Sequence, residues 1–501
     1  MNRLICFLLL ISLAAIGLNP LVAIAQSLTW SLPQRIAGYE DESSSPYLIA
    51  DQNKIVHAFN TDNVDGMVAV TYSQWTLEQG WTEPIDVLML PNQMSLHLVS
   101  VFLDQAGVVH IICFGGNEIN ANIYYAQAPI ENAGQAPAWS PALMIGKAAI
   151  MPVTGAIWGD ELGNLAVVYS GNLDGNGLYA VYSSDGGGSW SDALPIFLTY
   201  RSDLRPFALQ TYLDDQGQLH AVWSTANSTG RSETVYYASK DNFYHPWTEP
   251  IELAQAIVYE ADTPAIIKHQ DELIVIYHND FPTTRWMRRS FNGGQTWTEP
   301  APAFPGYVGS NGAVSFARDS SNRLHVFFGN RNADATVNGM WHSLWQGGNW
   351  SNPQPVVSRI TARRDQKDQG EVQDQGYMDG ARRDPSFANA VVSQGNTILL
   401  TWTTDPGSDR NGVWYSYVTL DAPELPIVAR PTPTSTSTPT PVPVAETPTS
   451  TPTDTPMPRQ VNQFDEVPVD SPNSSATVLT LSLIPVTLLI LGVVLFYVRR
   501  T

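Results

Sequence analysis

Two cysteines in 501 residues, Cys6 and Cys113, are too few for a disulfide framework or a cysteine-ligated zinc site. Cys6 falls in an apolar leader, which leaves Cys113 alone in a processed chain. Positive charge is also scarce: 26 Lys and Arg against 47 Asp and Glu give a formal net charge of −21. That field repels a phosphate backbone, so nucleic acid is excluded as the main partner. What is abundant is Gly and Pro, 36 of each, with 15 Trp and 20 Tyr, the composition of a β-rich, turn-rich chain rather than a helical bundle.

The two ends suggest a compartment. Met1-Asn2-Arg3, an apolar run from Leu4 to Leu18 and Ala23-Ile24-Ala25 before Gln26 have the layout of a secretory signal peptide over 1–25. An uncleaved N-terminal anchor is the alternative. Val478 to Val498 is 21 residues without a charge, followed by Arg499-Arg500-Thr501. At about 1.5 Å per residue that run matches a bilayer core, and the terminal arginines point inward. The expectation is a single-pass cell-membrane protein with a membrane helix over 475–498, a cytoplasmic tail of 499–501 and an outside head. A sorting tail that is removed remains the other reading. Between Arg430 and Pro458, nine Pro and ten Thr in 28 residues favour extended polyproline II, so 423–474 reads as a stalk. All recognisable chemistry then falls within 26–422.

That head is one unit of roughly fifty residues, repeated. Its second strand recurs as Ile55–Phe59, Val109–Cys113, Leu165–Tyr169, Leu219–Trp223, Leu273–Tyr277, Leu324–Phe328 and Ile398–Trp402. Each run is too short for a helix and suits a strand buried on both faces. A third strand follows, as in Val235-Tyr-Tyr-Ala238, and then a Trp-led fourth, as in Trp247-Thr-Glu-Pro250 and Trp297-Thr-Glu-Pro300. Proline there is expected on an outer edge strand. First strands are expected to begin near Pro46, Pro206, Pro264 and Pro385. Four strands per unit at this period signify an all-β fold, a β-propeller of seven four-stranded blades, with six blades plus an irregular module as the competitor. After Tyr417 no Trp-led strand follows; Trp30–Ile36 is expected to supply it from the other end of the chain and close the ring.

Two hairpins carry a sharper mark. Ser183, Asp185, Gly187 and Trp190, and again Ser290, Asn292, Gly294 and Trp297, fit S-x-[DN]-x-G-x-[ST]-W. Asp or Asn closes the turn through its side chain, Gly supplies positive φ, and Trp plugs the blade. The pattern resembles the Asp-box, or BNR repeat, of the sialidase-like β-propellers, and the resemblance covers most of 27–420. In that family the box is a folding device rather than a substrate site.

The resemblance implies three arginines clamping a substrate carboxylate, a Tyr nucleophile activated by Glu, and an Asp acid/base. The family's first arginine lies in R-I-P at the first inner strand, where this chain has Ser45-Pro46-Tyr47. Leu204-Arg205-Pro206 and Arg383-Asp384-Pro385 are the nearest approximations, so Arg205, Arg383 and Asp384 are the catalytic candidates and the full set does not carry over. Propeller ligands usually sit at the channel mouth. The candidates there are Asp280, Arg331 with Asp334, and Asp405 with Arg410, although solvated polar loops account for such residues equally well. The charged insertion 359–384 reads as a solvated loop, or as a lid or partner-binding loop.

No metal or cofactor is expected. His57, His110, His220 and His325 open the second strand in different units, where they cannot converge on one ion, and each is expected to satisfy local backbone groups. Asp62 and Asp65 miss an EF-hand spacing. The reading is an extracellular, membrane-anchored binding module for a glycan or protein ligand. The alternative is a glycoside hydrolase of exo-sialidase type with a diverged site, and a scaffold role is the remainder.

Overall fold

The computed structural model describes residues 28–39, 45–64, 67–90, 95–117, 121–151, 153–258, 260–280, 283–309, 311–331, 337–358, 385–404 and 412–427. The segments expected as a leader (1–25), as the charged insertion (359–384), as the stalk beyond 427 and as a membrane helix (475–498) lie outside the described residues. Among the described residues no helix is long and apolar enough to cross a membrane.

The chain opens with a short strand, β1 (Gln34–Arg35), and then runs as antiparallel meanders. The first comprises β2 (Tyr47–Ala50), β3 (Val56–Val64), β4 (Met67–Thr76) and an outer strand split into β5 (Gly80–Trp81) and β6 (Ile85–Met89). Next come β7 (Leu96–Leu103), β8 (Val108–Gly116), β9 (Ala121–Pro129) and β10 (Leu143–Ala149), then β11 (Gly155–Gly159), β12 (Leu165–Gly171), β13 (Gly177–Ser183) and β14 (Leu194–Leu198). These two meanders join into one eight-stranded sheet through the single pair Ala149–Gly171. Separate sheets follow: β15 (Arg205–Leu213), β16 (Leu219–Ala226), β17 (Ser232–Lys240) and β18 (Ile251–Gln255); then β19 (Ala261–His269), β20 (Glu272–Asp280), β21 (Thr283–Ser290) and β22 (Ala301–Pro302). The last two are β23 (Asn311–Arg318), β24 (Leu324–Asn330), β25 (Gly339–Leu344) and β26 (Gln354–Ser358), and β27 (Ser386–Ser393), β28 (Thr397–Thr403) and β29 (Val413–Thr419).

Burial follows position in the meander. Second strands such as β12, β16 and β24 are buried at every residue, which explains their unbroken apolar runs. First strands such as β7 and β15 mix buried and open positions, because one side faces a central channel. The hydrophobic clusters lie between neighbouring sheets. Phe59, Val70 and Tyr72 pack on Val109, Ile111 and Cys113; at the other extreme Leu399, Val413 and Tyr415 pack on Ile36, Val56 and Trp75. First strands touch in succession, β2 to β7, β11, β15, β19, β23 and β27, and β27 touches β2 again. The result is a β-propeller-like ring of curled sheets.

Closure is as the missing Trp-led strand suggests. Gln34 and Arg35 pair antiparallel with Tyr415 and Trp414, so the last sheet has the order β1-β29-β28-β27. Ile36 N–H donates to Val413 O at 2.9 Å and Ser31 N–H to Tyr417 O at 2.9 Å. The first and last described strands therefore share one sheet, and β29 presents no open edge at that ladder.

One expectation needs correction. The Trp-x-x-Pro segments are not themselves the outer strands: Trp247–Pro250 and Trp297–Pro300 precede β18 and β22, so each proline stands just before the ladder it would interrupt. First strands do begin near the expected prolines: β2 directly follows Pro46, β15 takes in Pro206 and β27 directly follows Pro385. Pro264 lies inside β19, at a register shift between Asp262 and Ala265, where a bulge removes the need for a ladder N–H.

Candidate functional site

The channel holds a cavity of about 660 Å³ bounded by the first strands β2, β7, β11 and β15. Its lining combines apolar groups from Leu98, Val99, Ile157 and Leu209 with hydrogen-bonding ones. Tyr47, His97 and Gln210 stand open to the channel, and Ser100, Thr154 and Thr211 add hydroxyls. No carboxylate and no guanidinium belongs to the described lining. Tyr47 is 38% exposed, yet its hydroxyl is packed close enough to donate to Val99 O at 2.5 Å. Burial of the hydroxyl end, and secondarily the nearby Cys113, raises its pKa. The ring is wetted by the channel while its oxygen is not, so this phenol is held protonated rather than poised as a nucleophile.

At the channel end where second and third strands connect, Arg205 begins β15 and its guanidinium donates to Met151 O at 2.6 Å. With Pro206, Phe207, Asn227 and Ser228 it lines a smaller cleft of about 220 Å³. Arg331 follows β24 and is exposed, and Asp280 ends β20. Arg383, Asp384, Asp334, Asp405 and Arg410 lie outside the described residues. The described candidates, Arg205, Asp280 and Arg331, thus start, end or follow strands of different sheets.

The recurring histidines have partners other than those expected. They do not satisfy backbone groups; each bridges two side chains. His57, His110 and His220 place Nδ1 at 2.7, 2.7 and 2.9 Å from the hydroxyls of Tyr72, Tyr125 and Tyr237. Their Nε2 atoms face Asp51, Asp104 and Asp214 at 3.3, 3.3 and 3.5 Å. In the β23–β26 sheet His325 has the same carboxylate, Asp319 at 3.4 Å, but His342 replaces the tyrosine, with 2.9 Å between the rings' nitrogens. Each Asp also caps the turn before the strand: Asp104 Oδ1 accepts from Val108 N–H at 2.7 Å and Asp319 Oδ1 from Arg323 N–H at 2.9 Å. Burial pushes the Asp104 carboxyl up, but the hydrogen bonds from His110 and Val108 outweigh it and hold the pKa low. Burial of Tyr72 and Tyr125 raises their pKa values, the reverse of nucleophile activation. An Asp–His–Tyr arrangement repeated in successive sheets is a tie between hairpins, not a catalytic group.

The two marked hairpins follow β13 and β21. Asp185 Oδ1 accepts from Ser189 N–H at 2.9 Å, and Ser183 Oγ accepts from Gly187 N–H at 2.9 Å. The second copy repeats this with Asn292 accepting from Thr296 N–H at 3.0 Å and Ser290 from Gly294 N–H at 2.9 Å. Both lie at the opposite ends of their strands from the Arg205 cleft.

Sequence reasoning missed His97, Gln210 and Thr154 as channel residues. They are single positions scattered over separate strands, with no spacing that a motif could capture.

No family model matches this sequence, and no curated protein does. Solved structures do match. A protein of unknown function from Dyadobacter fermentans is 14% identical, covering 79% of this chain and 100% of its own, with a TM-score of 0.48. The intramolecular trans-sialidase from Ruminococcus gnavus, solved with oseltamivir carboxylate, is 13% identical over 77% of this chain and 96% of its own, TM-score 0.43. A polysaccharide lyase, an ulvan lyase bound to a GlcA–Rha3S repeat, is 10% identical over 78% and 94%, TM-score 0.49. Several further sialidases stand among the matches. The likeness is one of fold.

Proposed function

We propose that the head is a seven-bladed β-propeller that binds a glycan in its channel without turning it over. The observation that carries this is the composition of the 660 Å³ cavity: aromatic and apolar faces beside hydroxyl, amide and imidazole groups, with neither carboxylate nor guanidinium in the described lining. Ligand pockets commonly run from about 300 to 1,000 Å³, so there is room for one or two sugar rings. Hydroxyl, amide and imidazole groups suit sugar hydroxyls, and the apolar surfaces suit the C–H faces of a pyranose. Glycosidase chemistry of the sialidase kind needs a carboxylic acid and a carboxylate clamp, and a protonated Tyr47 supplies neither. The ring of first strands and β1 completing the last sheet support the reading of seven blades.

The test is a glycan array together with a fluorogenic glycoside panel on the purified protein. Expected is saturable glycan binding without hydrolysis, weakened at least several-fold by Gln210→Ala or His97→Ala with an unchanged melting temperature. Rapid sialoside hydrolysis that disappears in Arg205→Ala would replace this reading by the glycoside hydrolase one, for which exposed Arg205 in its own cleft is the supporting feature.

We also propose that the head lies outside the cell, with 1–25 as signal, 423–474 as stalk and 475–498 as anchor. The composition of those segments supports this. Protease added to intact cells should shed a soluble head; retention of the whole chain inside the cells would contradict it.

A further inference from the structure

Asp262 on β19 stands opposite His278 on β20, and His278 stands opposite Arg285 on β21. Glu260, just before β19, completes a group. Its Oε2 is 3.9 Å from His278 Nδ1, and Asp262 Oδ1 is 3.2 Å from the same nitrogen. One donor atom from each residue lies within 4.8 Å of the other two. Around a small divalent ion with bonds of about 2.0–2.2 Å, ligand atoms stand roughly 3–3.5 Å apart. The Asp262–His278 separation already has that value. Glu260, whose side chain is 49% exposed, needs only a rotation to join them.

Two further observations separate this group from an ordinary surface ion pair. His278 is 6% exposed, and its partners among the described residues are these two carboxylates. Unlike His57, His110 and His220, it has no tyrosine hydroxyl on Nδ1. The hydrogen bonds of the guanidinium in register with it go elsewhere, to Gly329 O at 2.6 Å and Gly312 O at 3.1 Å, and it lies 5.1 Å over the Phe328 ring, while its charge still acts on Asp262.

We propose that Glu260, Asp262 and His278 bind a divalent cation of the Zn²⁺ or Mn²⁺ type at the Arg205 end of the channel. One imidazole nitrogen with two carboxylate oxygens suits those ions, whereas Ca²⁺ takes six to eight oxygens. The site runs against the expectation of no metal because its ligands are paired across strands, 16 positions apart for Asp262 and His278, and form no sequence motif. It does not depend on the glycan reading.

The test is calorimetric titration of tag-free, EDTA-stripped full-length protein with ZnCl₂, MnCl₂ and CaCl₂. Expected is one equivalent of Zn²⁺ or Mn²⁺, abolished by Asp262→Asn and His278→Gln and weakened tenfold or more by Glu260→Gln. Glu260 is exposed, so its variant should melt like the metal-free wild type and decides the matter even if the other two fail to fold. Failure of the wild type to bind either ion, a preference for Ca²⁺, or affinity unchanged in Glu260→Gln would each overturn the proposal.

Discussion

The hydroxyl oxygen of Tyr125 stands 2.2 Å from the point where a Cβ on Gly187 would lie. Tyr237 and Gly294 repeat the relationship at 2.0 Å. In both cases the tyrosine belongs to the sheet or meander preceding the hairpin, and the hairpin tryptophan completes the joint. Trp190 meets Tyr125 edge-on at 5.1 Å and Trp297 meets Tyr237 at 4.9 Å. The glycine of the marked hairpin is thus required twice, by φ values of +92° and +90° and by a neighbour's phenol. Because that phenol also holds a histidine, the chain Asp–His–Tyr–hairpin links successive units of the ring.

Gly294→Ala should accordingly cost stability from overpacking, about 1–3 kcal/mol, with left-handed strain added. Gly293→Ala is the control. It shares the positive φ, +68°, but its Cβ would meet only Gln218 Oε1 at 3.6 Å. Thermal melts should fall clearly further for residue 294 than for 293. Equal losses would show that strain alone matters there and that the tyrosine contact does not.

Asp185 and Asn292 occupy equivalent positions with opposite polarity. Ser189 donates its hydroxyl to Asp185 Oδ2 at 2.7 Å, whereas Asn292 donates its amide to Thr296 Oγ1 at 2.9 Å. Hydrogen bonds from the Ser189 hydroxyl and N–H, and from Ser183, lower the Asp185 pKa to about 2. A depressed carboxylate contributes stability that is present above its unfolded pKa near 4 and is lost as pH falls toward 2. Asp185→Asn should therefore fold, as its sister hairpin does, and show a shallower loss of stability between about pH 4 and 2. Identical acid limbs in denaturant titrations of the two proteins would refute this.

His342 is where the tyrosine of the Asp–His–Tyr tie is replaced. Burial, and then the adjacent His325, lower its pKa to about 3. A base whose folded pKa is depressed takes up its proton first in the unfolded chain. Stability is therefore complete above about pH 6.5 and declines as pH falls toward 3. His342→Tyr restores the pairing seen at His57, His110 and His220 and should flatten that decline in chemical-denaturation curves taken from pH 7 to 4. A slope equal to the wild type's would mean that His342 is not the sensitive group.

Ring closure rests on a small contact surface. Ile36 is fully buried against Val413 and Leu399, and the Arg35 guanidinium lies 5.6 Å over the Trp414 ring. Ile36→Ala should cost about 2–5 kcal/mol, as truncation of a core isoleucine does. Removing 28–39 should uncover the β29 edge and broaden the melting transition into a non-cooperative one. A sharp, unshifted melt after that deletion would mean that the ring does not need this strand.

The sequence by itself determined the strand pattern, the repeat and its closure. The apolar second strands, the S-x-[DN]-x-G-x-[ST]-W turns and the displaced Trp30–Ile36 strand are each written in consecutive residues; the turn hydrogen bonds close within four positions, whereas the displaced strand finds its partner 385 positions away at Ser31 and Ser416. Tertiary structure decided everything that depends on facing. His110 finds Asp104 six residues earlier and Tyr125 fifteen later only because hairpins bring them together. The channel takes Tyr47, His97, Thr154 and Gln210 from four first strands, and Asp262 meets His278 across a ladder. Alternation along a strand tells which residues share a side. It carries no record of which neighbouring strand that side will face, because that is fixed by how the sheets pack around the axis.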